Sequence, residues 1–92
     1  MTTTTRTKPF EVQLDICFDD YSNEWEAVGM LIHHAKIESQ VVSIEHAGVT
    51  ACCWPSLKIF VKTEDAARSL LAEYLQLDRY DEEVEEYMQY LE

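Results

Sequence analysis

The chain has little of the residues that most often build loops. Two glycines, Gly29 and Gly48, and two prolines, Pro9 and Pro55, leave small room for long unstructured connections in 92 residues. Long apolar runs are missing as well, and none approaches the ~20 residues a bilayer-spanning helix needs. The opening Met-Thr-Thr-Thr-Thr-Arg-Thr-Lys lacks the apolar core of a secretory signal, so a cytosolic location is expected and no membrane partner. Cysteine is scarce. Cys17, Cys52 and Cys53 cannot all pair, and two are neighbours, which argues for reduced, buried thiols rather than a disulfide framework. The two glycines are too far apart to form a phosphate-binding loop. Positive charge is also in short supply: seven Lys and Arg stand against 18 Asp and Glu, a formal net charge of −11.

What is present is apolar stock and concentrated acid. Hydrophobic residues make up 47% of the chain, more than disordered chains carry, so one folded domain is expected over residues 8–92 after a flexible, Thr-rich segment 1–7. The last fifteen residues hold seven acids (Asp78, Asp81, Glu82, Glu83, Glu85, Glu86, Glu92) against one arginine, Arg79, a net −6. They alternate with Tyr80, Val84, Tyr87, Met88 and Leu91, the spacing of an amphipathic helix rather than a disordered tail.

The periodicities set the expected fold. Phe10, Val12, Leu14, Ile16 and Phe18 alternate with Glu11, Gln13, Asp15 and Cys17, which predicts a strand with one buried face. Asn23 with Glu26 predicts a helix cap, and Trp25, Val28, Leu31, Ile32 and Ala35 the apolar face of a helix to about Lys36. Val41–His46 and Val49–Trp54 are expected to pair as a hairpin about Ala47-Gly48, followed by a strand over residues 57–62. Thr63 predicts the cap of a helix with Ala66, Ala67, Leu70, Leu71 and Tyr74 inward. A last helix is expected from about Arg79 to Leu91. The order β-α-β-β-β-α-α implies an α+β fold, a four-stranded antiparallel sheet with helices on one face.

Two surfaces stand out as binding candidates. Asp81, Glu82, Glu85 and Glu86 fall on the polar side of the last helix, spaced to meet Lys and Arg. Like-charge pairs at i, i+4 cost only ~0.2–0.5 kcal/mol each, so the helix can bear them. On the outer side of the 57–62 strand, Lys58, Phe60 and Lys62 form a small basic and aromatic surface; with Arg68 it has the chemistry to meet phosphates and stack on bases. Chemistry of other kinds has less support. His33, His34 and His46 with the cysteines are six potential ligands, but adjacent His-His and Cys-Cys pairs lack zinc-site spacing. Nothing marks an activated nucleophile, so no catalysis, metal, cofactor or small-molecule substrate is expected.

Across its 92 residues, the chain resembles phage-encoded anti-CRISPR proteins of the type I-F inhibitor group. The resemblance is carried most by MTTTTRTKPFEVQLDICFDD, ACCWPSLKIFVK and DRYDEEVEEYMQYLE. That group shares no common motif or fold, so no functional residue is carried over. The resemblance implies a non-enzymatic inhibitor acting in the cytoplasm of the infected bacterial host. It would bind subunits of the type I-F crRNA-guided surveillance complex, with crRNA as a further contact, and block target DNA binding or its hybridisation with the guide. Some such inhibitors imitate DNA through acidic surfaces and others wedge beside the guide; both candidate surfaces fit. Two other classes remain open on the residues: an acidic regulatory or antitoxin-like module that neutralises a basic nucleic-acid-binding protein, and a small enzyme using a cysteine with a histidine.

Overall fold

The computed structural model describes residues 9–49 and 54–91. The segment 1–7, expected to be flexible, and Cys52 and Cys53 lie outside the described residues. The elements are β1 (Phe10–Asp15), α1 (Glu24–Ala35), a 3-10 turn (Glu38–Gln40), β2 (Val41–Val49), β3 (Pro55–Val61), α2 (Glu64–Leu75) and α3 (Glu82–Gln89).

The α+β class holds, with three α-helices and one antiparallel sheet among the described residues. The sheet among the described residues has three strands in the order β1-β3-β2, not the four expected. The error lies at Ala47-Gly48. That dipeptide reads as a turn, but β2 continues through it to Val49, which pairs with Pro55. The register shifts between His46 and Gly48, so the glycine marks a bulge rather than a hairpin end. Gly48 has φ +121°, a conformation L side chains rarely adopt, and a Cβ there would meet nothing within 4 Å. Backbone conformation, not space, requires the glycine. Residues 50–53 of the expected second arm lie outside the described residues. Pro55, read as a break, is instead the first residue of β3, a position where its missing N–H removes least.

Helix starts follow local chemistry. Asn23 Oδ1 accepts from Glu26 N at 2.9 Å, and Thr63 Oγ1 accepts from Ala66 N at 3.1 Å. Helix ends do not use glycine. Lys36 (φ 60°) and Gln76 (φ 58°) take the left-handed conformation after α1 and α2. In each case the next N–H reaches back across the last turn, Ile37 N to Ile32 O at 3.3 Å and Leu77 N to Ala72 O at 3.0 Å. Ile37 is buried and Leu77 is packed against the core, which supplies the apolar contact this end motif favours.

β3 is the central strand, and its Leu57, Ile59 and Val61 are fully buried. They pair in register with Leu14, Val12 and Phe10 of β1. Val28 and Ile32 of α1, Ala67, Leu70 and Leu71 of α2, and Val84 of α3 complete the core. Two expectations fail here. Trp25 is 47% exposed rather than packed inward, because it sits on the flank of α1's apolar stripe in its first turn, while Ala27, Val28 and Ile32 fill the centre. Cys17 is exposed rather than buried, because it alternates out of phase with Ile16. Tyr74 is half-buried and its Oη donates to Asp15 O at 2.8 Å, tying α2 to the end of β1. Burial, and then the nearby Asp15 charge, push its phenol pKa up, so it remains a donor.

Leu14 is 3% exposed, so Leu14→Ala is expected to cost ~2–5 kcal/mol in a denaturant melt. A loss within the error of the melt would place Leu14 outside the core.

Candidate functional site

The acidic candidate residues separate into two groups. Asp81 caps α3, its Oδ1 accepting from Glu83 N at 3.0 Å. Glu85 is bound to Arg68 of α2 in an ion pair. Arg68 also donates to Arg79 O at 3.0 Å, and its guanidinium lies 5.2 Å from the Tyr80 ring centroid. Glu85 therefore braces α3 against α2, and Asp81 secures the first turn of α3. The Glu85 hydrogen bond holds the Arg68 guanidinium pKa above its usual value, against the opposing effect of burial. Beside them Arg79 pairs with Asp65 at the start of α2. Glu82 and Glu86 are exposed and have no ion pair among the described residues, and the same holds for Glu83, which the sequence reading left out of the set.

The basic candidates are not brought together. Lys58 and Phe60 take the partly exposed alternate positions of β3, and Lys62 is exposed just after the strand's last residue, Val61. Arg68 does not join them. It was expected to be exposed, but its side chain is only 15% exposed and sits on the helical side of the sheet under α3. The open face is also not purely basic. Lys58 lies across from Gln13 of β1 and Glu45 of β2, and its Nζ is 4.0 Å from Glu11 Oε2. Phe60 is half-buried between Glu11 and Ser43. A nucleic acid approaching this face meets two lysines among Glu11, Asp15 and Glu45, a weak phosphate surface by itself.

Tyr87, expected on the apolar stripe of the last helix, is 47% exposed, and Tyr90, which that stripe does not include, is 76% exposed. With Glu83 and Glu86 they line a concavity of about 340 Å³. The same two tyrosines line a groove of about 290 Å³ against Glu11, Val12 and Gln13 of β1 and Leu71 of α2. The available signal was spacing: Glu83, Glu86, Tyr87 and Tyr90 follow i, i+3, i+4, i+7, one face of a helix. That face is distinct from the one filled by Val84, which is fully buried.

Elsewhere, His33 Nδ1 is 2.8 Å from Glu38 Oε2, and that hydrogen bond holds the Glu38 carboxyl below its ordinary pKa. His46 Nε2 lies 3.6 Å from Glu24 Oε2. Among the described residues no group of three His, Cys, Asp or Glu is placed to hold a metal, and no helix is long and apolar enough to cross a membrane. No protein-family model matches the chain, and neither a curated protein nor a solved structure matches it.

The division of labour among the acids has a measurable consequence. Glu85→Gln is expected to lower stability by about 1 kcal/mol, since it weakens a charge-assisted pair that is only partly shielded from water. Glu82→Gln is expected to stay within about 0.5 kcal/mol of the parent. Equal losses for the two in thermal melts would mean that the Arg68 pair does not hold α3.

Proposed function

We propose that the chain is a non-enzymatic inhibitor that binds the type I-F crRNA-guided surveillance complex and blocks target DNA capture or its hybridisation with the guide. The observation that carries this reading is the row Glu82, Glu83 and Glu86, which no basic residue neutralises among the described residues, on a helix braced by other acids. The whole-chain resemblance supplies the partner.

A channel that captures DNA must be lined with Lys and Arg to neutralise phosphates. A folded protein with fixed carboxylates can sit among those cations without the cost of bending or melting a duplex. Its net charge of −11 also steers encounter with a basic surface and discourages binding to free nucleic acid. Lys58, Phe60 and Lys62, on the open side of the sheet, then give a secondary contact to exposed guide RNA.

A pull-down with the intact surveillance complex, with and without target DNA, tests this directly. The chain is expected to co-purify with the complex, and DNA loaded afterwards is expected to fail to bind. Capture of a single isolated basic protein but not the assembled complex would favour the antitoxin-like reading instead. The triple reversal E82K/E83K/E86K leaves the Asp81 cap and the Arg68 pair intact. It is expected to slow association by on the order of tenfold or more at low salt, while the melt falls by only about 1–2 kcal/mol because two lysines replace first-turn acids. Unchanged association at every salt concentration would remove the acidic side of α3 from the interface.

A further inference from the structure

We infer that the groove between β1 and α3 is a docking site for an arginine side chain on a basic protein segment, held between the rings of Tyr87 and Tyr90 and the carboxylates of Glu83, Glu86 and Glu11. The inference deepens the proposed function by naming the chemistry that the acidic side of α3 takes, and it can be tested without the surveillance complex.

The groove is built for a side chain that is apolar in its stem and cationic at its tip. Val12 and Leu71 line its floor and are almost fully buried, while Tyr87, Tyr90 and Leu91 form one wall. Glu11 lies on the opposite wall, and Glu83 and Glu86 flank the tyrosines on their far side. Among the described residues no basic residue lines either concavity, and only Glu11 has a cation nearby, Lys58 Nζ at 4.0 Å on the open face. A hydrocarbon stem fits against the Val12–Leu71 floor, and a positive head then lies at the tyrosine rings that the two concavities share, in the field of the carboxylates on either side.

The chain itself contains an arginine held this way. On the inner side of α3, Arg68 is paired with Glu85 and lies 5.2 Å from the Tyr80 ring centroid. Tyr87 and Tyr90 with Glu83 and Glu86 repeat the pairing of a tyrosine ring with a glutamate on the solvent side of the same helix, without an internal cation. Arginine suits the arrangement better than lysine. Its guanidinium is planar and weakly hydrated, so it stacks on a ring face and binds a carboxylate through two parallel N–H groups. A lysine ammonium is a strongly hydrated point charge that gains less from either. Phosphate is disfavoured by three carboxylates, and a second copy would bring another −11 to the same place.

The test is a titration of the isotopically labelled full chain with two short amidated peptides, identical except that one carries arginines and the other lysines. Backbone amide shifts report the site. The arginine peptide is expected to shift Val12, Tyr87, Tyr90 and Leu91 and to bind about two- to fivefold tighter than the lysine peptide. The Tyr87→Leu/Tyr90→Leu double variant changes exposed residues and should melt like the parent; in it the two peptides should bind equally. Tyr87→Phe keeps the ring face and should retain the preference. Equal binding of both peptides by the parent would overturn the inference and leave charge steering alone, as would shifts centred on another surface or no binding at all. Concentration-dependent shifts at the same residues without peptide would seat a second copy there and also overturn it. Loss of the arginine preference with intact capture of the surveillance complex would sink this inference and leave the proposed function standing.

Discussion

The helical side of the molecule depends on how α2 meets the central strand. Leu57, Ile59 and Val61 of β3 are fully buried, and α2 meets them with Ala67, Leu70 and Leu71. The alanines matter here. Ala66, Ala67 and Ala72 are all buried, and such small side chains let neighbouring helices approach α2 closely while its leucines fill the sheet side. α2 thereby contacts α1, α3, β1 and β3 at once. A substitution that enlarged Ala67 would push on all of them, since a close-packed interior transmits strain. The tyrosine and glutamate surface of α3 is carried on this base: Leu71 floors the groove, and Arg68 from the same helix braces α3.

Charge is the second constraint, and the fold resolves it unevenly. With 18 acids and seven Lys and Arg, most carboxylates cannot have a cationic partner. The described arginines go to structure: Arg68 to Glu85 and Arg79 to Asp65. What remains on α3 is tolerable because Glu82 and Glu83 sit in its first turn, where unpaired N–H groups and the helix dipole favour negative charge. Glu82 and Glu83 thus lack cations where the helix needs them least, while Glu86 lies beyond that turn. A surface can keep its charge for a partner only if the fold does not need that charge neutralised.

The sequence was most legible where a local rule and the tertiary environment agreed. Asn23 and Thr63 cap as their spacing implies, and Val12, Leu14 and Ile16 face the core as alternation requires. It was least legible where one residue type serves two structures. Gly48 supports either a turn or a bulge, and only the pairing of Val49 with Pro55 decides between them. Lys36 and Gln76 end helices in a conformation that glycine usually supplies, and nothing about either residue announces it; the clue lies in the apolar Ile37 and Leu77 that follow. Tyr87 falls on an apolar stripe by spacing, but α3 is short and its buried face is narrow, so Val84 alone is fully enclosed. Arg68 reads as a surface cation because its partner, Glu85, lies seventeen residues away on another helix. Long-range ion pairs of that kind have no local signature, which is why the acidic candidates read as one set and fold as two.

The two candidate surfaces meet at Glu11. Its carboxylate lies 4.0 Å from Lys58 Nζ on the open face, and the residue also lines the groove with Tyr87 and Tyr90. Crossing the sheet from β3 over β1 to α3, a partner would meet Lys58, then Glu11, then the tyrosines and Glu83 and Glu86. A chain of phosphates alone is opposed along the second half of that path, and along the first the lysines stand among Glu11, Asp15 and Glu45, so neither sign of charge dominates. A partner that presents a phosphate beside an arginine is opposed along neither. Proteins that hold a nucleic acid by its backbone carry that pairing by necessity, since their cations sit against the phosphates they neutralise. That pairing is what the ribonucleoprotein partner we propose would present.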